Sequence, residues 1–182
     1  MALLDTNQSM SCEETGGTAR ELAGLLNERG LTISVAESCS GGLLAKMLTD
    51  IPGSSAYFLA GVVAYSNGAK STFLGVPSQL IELNGAVSAE VAEAMAEGML
   101  RTAGSDIALS VTGIAGPEGG TEEKPVGSVY IGLADSNGCS TMHLSLSGSR
   151  EQIRIATACG AFNWAMRHLR DRAPSSPKVQ IS

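Results

Sequence analysis

Aromatic residues and histidines are both scarce in this chain. Phe, Trp and Tyr make up 4% of the 182 residues, and the only histidines are His143 and His168. The hydrophobic core must therefore be built mainly from Ala, Val, Leu, Ile and Met. Two histidines also leave few options for histidine-based catalysis or for a histidine-rich metal site.

Positive charge is also in short supply. Lys and Arg number 12 against 18 Asp and Glu, which gives a formal net charge of −6. A general nucleic-acid binder needs clustered cations to neutralise phosphates, so this balance argues against nucleic acid as a partner. It still allows a small anionic ligand held by one or two local cations.

Cysteine pairs and long apolar runs are missing as well. The four cysteines are far apart and form no C-x-x-C pair. No segment has the basic-then-apolar form of a signal peptide, and no apolar run approaches the length of a membrane span. We therefore expect reduced cysteines, a cytoplasmic location and no membrane partner.

What the chain does contain is an alternation of short apolar strands and amphipathic helices. This pattern predicts a single α/β domain over residues 15–172, with a mixed sheet and helices on both faces in three α/β/α layers. Residues 1–14 are predicted to be a loose leader. Residues 173–182, which are rich in Pro and Ser, are predicted to be a flexible tail.

Local signals place the elements within this domain. Helices are predicted to begin at the capping residues Thr18, Ser88 and Ser149. A further helical segment is predicted to begin near Asn67. Strands are predicted at 31–36, 56–66 (extended and mostly buried) and 106–113, followed by a hairpin around 136–138.

Two polar segments follow buried strands and are the first site candidates. The sequence "ESCSGG" leads from a strand directly into a helix, and "VTGIAGPEGG" opens a long glycine-rich loop. Glycines let a backbone approach a ligand, and free N–H groups at a helix start favour an anion. Ordinary turn glycines and a purely structural loop are the alternatives.

Several familiar motifs are excluded. "GAKST" at 68–72 lacks the glycine spacing of a P-loop, and no G-x-G-x-x-G follows a strand. His143 and His168 are predicted to lie on the surface rather than to act as bases. No metal-ligand spacing is present, so neither a metal nor a cofactor is expected.

Lysine and arginine are then the remaining chemical candidates. Lys70 follows the apolar run "GVVAY", where burial would lower its pKa and let it act as a base, although a solvated lysine at a helix start is the simpler interpretation. Tyr65 is predicted to be a core aromatic with its hydroxyl at the rim. Arg150 occupies the first turn of a helix, where a cation is unfavourable unless an anionic ligand or a salt bridge offsets it.

A set of motifs resembles one known family. "AESCSGG", "PGSSAYF", "VVAYSNGAK", "GAVS", "VTGIAGPEGGTEEKPVGSVYIGLA" and "SGSREQIR" are similar, in order, to the C-terminal domain family of competence/damage-inducible protein CinA. Its stand-alone members are nicotinamide mononucleotide deamidases. The resemblance implies cytoplasmic homo-oligomers that convert nicotinamide mononucleotide to nicotinate mononucleotide and ammonia without a metal.

The resemblance also assigns roles to residues. It implies that Ser55 is the nucleophile, that Lys70 is its base and that Tyr65 assists. The residues that it implies line the substrate site are Ser38, Ser40, Gly41, Gly42, Thr112, Gly113 and Arg150.

This chain departs from the family pattern at three positions. Gly68 replaces the glutamate of the usual "SNEAK", Ser40 replaces threonine, and Ser149 replaces aspartate. The glycine puts the stiffness of the following helix in question.

A function of another class shares most of these features. A module that binds a nucleotide without turning it over needs the same loops and the same arginine. Release of ammonia from nicotinamide mononucleotide separates the two hypotheses.

Overall fold

The computed structural model describes residues 12–171 of the chain. The predicted tail, 173–182, and most of the predicted leader, 1–14, therefore lie outside the described residues. The first described helix, α1, spans Cys12–Arg29 and begins earlier than the predicted start at Thr18, which was wrong. Helix α1 is anchored by Ala19, Leu22 and Leu26, which are buried in the core.

Five strands form one mixed sheet in the order β2-β1-β3-β4-β5. Strands β1, β2 and β3 are parallel to one another, and β4 and β5 continue the sheet antiparallel. The strands are β1 (Ile33–Glu37), β2 (Phe58–Val63), β3 (Ile107–Gly113), β4 (Ser128–Asp135) and β5 (Gly138–Ser145).

Helices cover both faces of this sheet. Buried side chains of α1, α2 and α6 form one core cluster with the strands, and those of α3, α4 and α5 form a second cluster on the other face. The remaining helices are α2 (Leu43–Thr49), α3 (Asn67–Leu74), α4 (Ser78–Asn84), α5 (Ala89–Ala103) and α6 (Arg150–Asp171), with a short 3₁₀ helix at Ser54–Ala56. The predicted three-layer α/β/α architecture is confirmed. None of the helices described between residues 12 and 171 is long and apolar enough to cross a membrane.

Capping side chains set several helix starts as the sequence predicted. Ser88 Oγ accepts a hydrogen bond from the N–H of Val91 at the start of α5. At α6, the N–H of Ser149 donates to Gln152 Oε1, and the N–H of Gln152 donates back to Ser149 Oγ. These reciprocal bonds satisfy N–H groups that a helix cannot pair internally.

Strand β2 differs from its predicted form. It is shorter than the predicted extended segment 56–66, and its side chains alternate between half-buried and exposed positions. The reason is topological: β2 is at one edge of the sheet, so neighbouring structure shields it less than it shields β1 or β3. The expectation that this segment is mostly buried was wrong.

The topology brings several loops to one end of the sheet. The carboxyl ends of the parallel strands β1, β2 and β3 point the same way, and β4 and α6 begin at that same end. Ligands of α/β proteins bind at such carboxyl ends. The segments 38–42, 64–66 and 113–127 therefore surround one candidate site.

Candidate active site

Lys70 is the central residue of this end of the sheet. Its side chain is only 1% exposed, so it is not a solvated lysine at a helix start. Its Nζ donates hydrogen bonds to Ser38 Oγ and to the carbonyl oxygen of Ala64, each at 3.0 Å. A buried amine thus meets a serine hydroxyl at the ends of two adjacent parallel strands.

The position of Lys70 follows from the local sequence. Ser66 caps α3 by accepting a hydrogen bond from the N–H of Ala69, which places Lys70 on the inward side of the first turn. Burial of the amine lowers the pKa of Lys70, and the nearby Cys39 thiol opposes that shift. Desolvation disfavours the charged form of an amine, so Lys70 carries its proton less firmly than an ordinary lysine.

The carboxylate of Glu37 organises the turn that carries Ser38. Glu37 is fully buried, and its Oε2 accepts hydrogen bonds from Ser40 Oγ at 2.6 Å and from the N–H groups of Gly42 and Leu44. Its Oε1 accepts another from the N–H of Ala45 at 2.8 Å. The protein's own carboxylate therefore occupies the start of α2, where the sequence suggested an external anion.

This arrangement changes how the predicted "ESCSGG" residues contribute. The Ser40 hydroxyl and the Gly42 amide are used inside the turn, which gives both residues a structural task. Gly41 and Gly42 have positive φ angles of 61° and 93°, a conformation that side chains other than glycine rarely adopt. Arg154 braces the same turn from α6, since its Nε and Nη2 donate to the Ser40 carbonyl at 3.0 and 2.7 Å.

Thr112 and Gly113 also have structural explanations at the end of β3. Thr112 Oγ1 donates to the carbonyl of Ala86 at 2.8 Å and is almost fully buried. A Cβ at Gly113 would lie 2.8 Å from the carbonyl oxygen of Ser128, so glycine permits the close approach of β3 and β4. Both residues lie at the predicted end of the sheet, and both hold the neighbouring loops in place.

Tyr65 and Arg150 form the rim of the site. Tyr65 is 62% exposed, so the prediction that it is a core aromatic was wrong. Arg150 Nη2 donates to the Tyr65 hydroxyl at 3.0 Å, and Nη1 donates to the carbonyl of Gly116 in the glycine-rich loop at 2.7 Å. Both acceptors are neutral, so neither balances the charge of the guanidinium group. Arg150 thus presents a positive charge between the β2 end and the loop.

Ser55 does not lie next to Lys70 of the same chain. It is exposed in the 3₁₀ helix that precedes β2, whereas Lys70 follows β2. Strand β2 has six residues, so at about 3.3 Å per residue these two side chains are separated by roughly 20 Å. Within one chain the serine next to Lys70 is Ser38, and Ser55 is at the opposite end of the sheet.

Sequence reasoning missed the roles of Glu37 and Arg154. Glu37 ends an otherwise apolar strand, and an acid at such a position signals either a ligand contact or a buried cap. Arg154 follows Arg150 by one helical turn, which indicated a shared face but not its acceptor. That acceptor, the Ser40 carbonyl, is 114 residues away in sequence.

The histidines do not join this site. His143 is exposed, as predicted, with its ring centroid 4.6 Å from that of Tyr130. His168 is partly buried and pairs with Asp135 at 2.6 Å, at the far end of β4. In the described part of the chain, no group of three or more His, Cys, Asp or Glu side chains could hold a metal ion.

Fold and site together define a three-layer α/β protein with a buried lysine–serine pair at the carboxyl ends of its parallel strands. The chain belongs to the CinA C-terminal domain family, whose model matches residues 16–169. A CinA-like protein of Geotalea uraniireducens is 58% identical over 148 residues, which cover 81% of this chain and 35% of that protein. A CinA-like protein of Geobacter metallireducens is 50% identical over 177 residues, covering 92% of this chain and 43% of the relative. The chain therefore spans well under half the length of these relatives.

Solved structures of similar length show the same fold. The competence/damage-inducible protein CihA from Agrobacterium tumefaciens matches with a TM-score of 0.85 and 38% identity, over 90% of this chain and 100% of that chain. A CinA superfamily protein from Escherichia coli matches with a TM-score of 0.81 and 28% identity, over 92% and 94%.

Proposed function

We propose that this chain hydrolyses the carboxamide of nicotinamide mononucleotide to give nicotinate mononucleotide and ammonia. The observation that carries the proposal is the buried Lys70 amine, with its lowered pKa, 3.0 Å from the Ser38 hydroxyl. A neutral amine beside a hydroxyl is a base suited to nucleophilic attack on an amide. The family resemblance supplies the substrate.

Lys70 acts as the proton acceptor and later as the proton donor. When its amine is neutral, the contact with Ser38 runs from the hydroxyl to the amine, so Ser38 can pass a proton inward. Lys70 then returns that proton to the departing nitrogen. The carbonyl of Ala64 holds the amine in place throughout.

The resemblance assigns the attack to Ser55 and implies homo-oligomers; since Ser55 and Lys70 of one chain lie at opposite ends of β2, the Ser55 that attacks is that of a second copy of the chain. Its Oγ adds to the carboxamide carbon, and its proton passes through Ser38 to Lys70. The C–N bond breaks as Lys70 returns the proton, ammonia leaves and an ester remains on the serine. Water then attacks the ester by the same route, which releases the carboxylate and restores the hydroxyl.

The remaining groups bind the substrate and stabilise the transition state. The positive charge of Arg150 pairs with the phosphate of the mononucleotide, and the Tyr65 hydroxyl orients the arginine. Backbone N–H groups at the strand ends stabilise the oxyanion. The cationic pyridinium ring of the substrate withdraws electrons from the carboxamide and makes attack easier.

The direct test is ammonia release from nicotinamide mononucleotide by the purified chain and by Lys70→Met. Methionine has a similar length and no basic nitrogen, so we expect turnover to fall by at least about 100-fold, the usual contribution of a general base. The control is Lys46→Met, because Lys46 is exposed on α2 and pairs with Asp50, the C-cap residue of that helix. Its turnover should match that of the parent.

Two outcomes would contradict the proposal. A parent chain that binds the mononucleotide but releases no ammonia is a nucleotide-binding module, the function that the sequence left as its alternative. A Lys70→Met variant with full activity would remove the base from the mechanism.

A further inference from the structure

Glu37 is a buried carboxylate that no ion pair balances. It has no exposed surface, and none of the ion pairs between residues 12 and 171 includes it. Instead it accepts four hydrogen bonds, one from the Ser40 hydroxyl and three from N–H groups at the start of α2. An exposed N-cap serine or aspartate would satisfy a helix start without burying a charge. The buried charge therefore indicates a task beyond capping the helix.

Ser40 is held by charged groups at two of its atoms. Its Oγ donates to Glu37 Oε2 at 2.6 Å, and its carbonyl oxygen accepts hydrogen bonds from Nε and Nη2 of Arg154 at 3.0 and 2.7 Å. Hydrogen bonds with one ionised partner are shorter and roughly twice as strong as neutral ones. In the described part of the chain Glu37 and Arg154 form no ion pair with each other, so the fully buried Ser40 is the link between the two charges.

The backbone of Ser38 lies between these fixed points. Glu37 immediately precedes it, and Ser40 follows two residues later. The Ser38 N–H donates to a carbonyl oxygen of β3 at 3.0 Å, and the Ser38 carbonyl accepts the N–H of Gly41 at 3.2 Å. With the main chain fixed on both sides, only rotation about χ1 is left to the hydroxyl, which meets Lys70 Nζ at 3.0 Å.

We propose that Glu37 and Arg154 are positioning residues for Ser38. Acting through Ser40, they keep its hydroxyl within hydrogen-bond distance of Lys70. Glu37 has no exposed surface with which to touch a substrate, and Arg154 directs two of its nitrogens at the Ser40 carbonyl. The effect on turnover rests on the proposed function, because it requires Ser38 to relay a proton to Lys70. The geometric effect stands on the contacts alone.

The effect on turnover is tested with nicotinamide mononucleotide. Glu37→Gln replaces one acceptor oxygen with an NH2 group, which cannot accept a hydrogen bond from an N–H, and Arg154→Met removes both donors to the Ser40 carbonyl. A shift of about 1 Å in a reacting group can cost about 100-fold, so we expect kcat to fall by about 10- to 100-fold in each variant. KM should stay within about two-fold of the parental value, because neither side chain binds the mononucleotide.

Asp106→Asn is the matched control for Glu37→Gln. Asp106 precedes β3, and its Oδ2 accepts hydrogen bonds from the N–H and the hydroxyl of Thr32, which precedes β1. The change removes the same kind of carboxylate at the opposite end of the sheet, so kcat should match that of the parent. A folded Glu37→Gln variant with parental kcat would overturn the effect on turnover. A raised KM with unchanged kcat in Arg154→Met would make Arg154 a substrate-binding residue instead.

A double variant tests whether the two residues act through one link. If both act on Ser40, adding Arg154→Met to Glu37→Gln should lower kcat little further, because the hydroxyl is already displaced. Losses that multiply would mean independent effects and would overturn the shared link. Ser40→Ala removes only the hydroxyl bond to Glu37, so it should lower kcat in the same way but by less.

Crystal structures of the parent and the variants test the geometric effect without any assay of turnover. Ser38 Oγ and Lys70 Nζ should be 3.0 Å apart in the parent. In Glu37→Gln and Arg154→Met we expect the two atoms to lie beyond the reach of a hydrogen bond, about 3.5 Å. An unchanged separation in either variant would overturn the positioning role of that residue.

The two kinds of test separate this inference from the proposed function. If the parent releases no ammonia, the proposed function fails, whereas the separation of Ser38 Oγ and Lys70 Nζ still decides whether Glu37 and Arg154 position the serine. Circular dichroism verifies that each variant is folded. If Glu37→Gln does not fold, Arg154→Met and Ser40→Ala provide the same comparison.

Discussion

Lys70 shows how a single residue can combine burial with chemistry. Removing a lysine from water is costly unless its amine is neutral or well paired. Here the amine has two oxygen partners, Ser38 Oγ and the Ala64 carbonyl, and its pKa is lowered by burial. The fold therefore tolerates the group and also favours the deprotonated form that a base requires.

The lowered pKa of Lys70 predicts how the rate depends on pH. The neutral amine is the active form, so the rate should rise with pH and level off below the ordinary lysine value of about 10.4. Folded Lys70 binds its proton more weakly than unfolded lysine. The free energy of unfolding should therefore also rise with pH between the lowered folded pKa and the ordinary value. Single-turnover rates and urea titrations across pH measure both effects.

Lys70→Arg separates charge from basicity. Arginine keeps the positive charge but does not lose its proton, so we expect a loss of turnover close to that of Lys70→Met, with substrate binding retained. An active Lys70→Arg enzyme would mean that this residue supplies charge alone.

At the scale of elements, helix α2 is held by Glu37 and helix α3 carries Lys70. The Glu37 carboxylate accepts three backbone N–H groups at the start of α2, which complements the helix dipole. Helix α3 has a serine cap but also has Gly68 in its first turn. The position of Lys70 thus depends on a helix that contains one residue of low helix propensity, Gly68.

Gly68 can be replaced without a clash. No atom lies within 4 Å of the place where its Cβ would be, and its backbone is helical. Gly68→Ala should raise the free energy of unfolding by about 0.5–1 kcal/mol by stiffening the unfolded chain and favouring the helix. Urea denaturation measures this change, and turnover should be at least that of the parent.

Gly98 provides the opposite case in α5. A Cβ there would lie 1.8 Å from the carbonyl oxygen of Leu74, so Gly98→Ala should lower the free energy of unfolding by several kcal/mol, of the order of 3. If Gly68→Ala also lowers the free energy of unfolding, Gly68 is not the residue that limits the stability of helix α3.

At the scale of the whole molecule, four of the groups that the mechanism uses lie at one end of the sheet of a single chain. Lys70, Ser38, Tyr65 and Arg150 come from four different segments, and the three-layer fold brings them together. Within residues 12–171 the structure places no cluster of metal-ligating side chains among them.

A metal-free mechanism predicts that turnover is unaffected by chelators. Dialysis against EDTA should leave the rate of ammonia release unchanged, because the proton transfers run through Lys70 and Ser38. The assay is compared with an undialysed sample of the same protein. Loss of activity that a divalent cation restores would require a different mechanism.

Local patterns in the sequence were sufficient for most of the architecture. Residues close in sequence set the caps at Ser88 and Ser149, the hairpin turn, and the strands that lead into polar segments. Such signals act over a few residues, so they can be recognised without the fold. They predicted three layers and pointed to one end of the sheet.

Long-range contacts decided the site itself. Ser38 meets Lys70 across 32 residues, and Arg154 reaches the Ser40 carbonyl across 114. Strand β2 places Ser55 and Lys70 at its opposite ends, although only fourteen residues separate them in the chain. The family resemblance paired the two in one reaction, but an extended strand carries the chain away by about 3.3 Å per residue, so only the tertiary structure shows which serine the lysine touches.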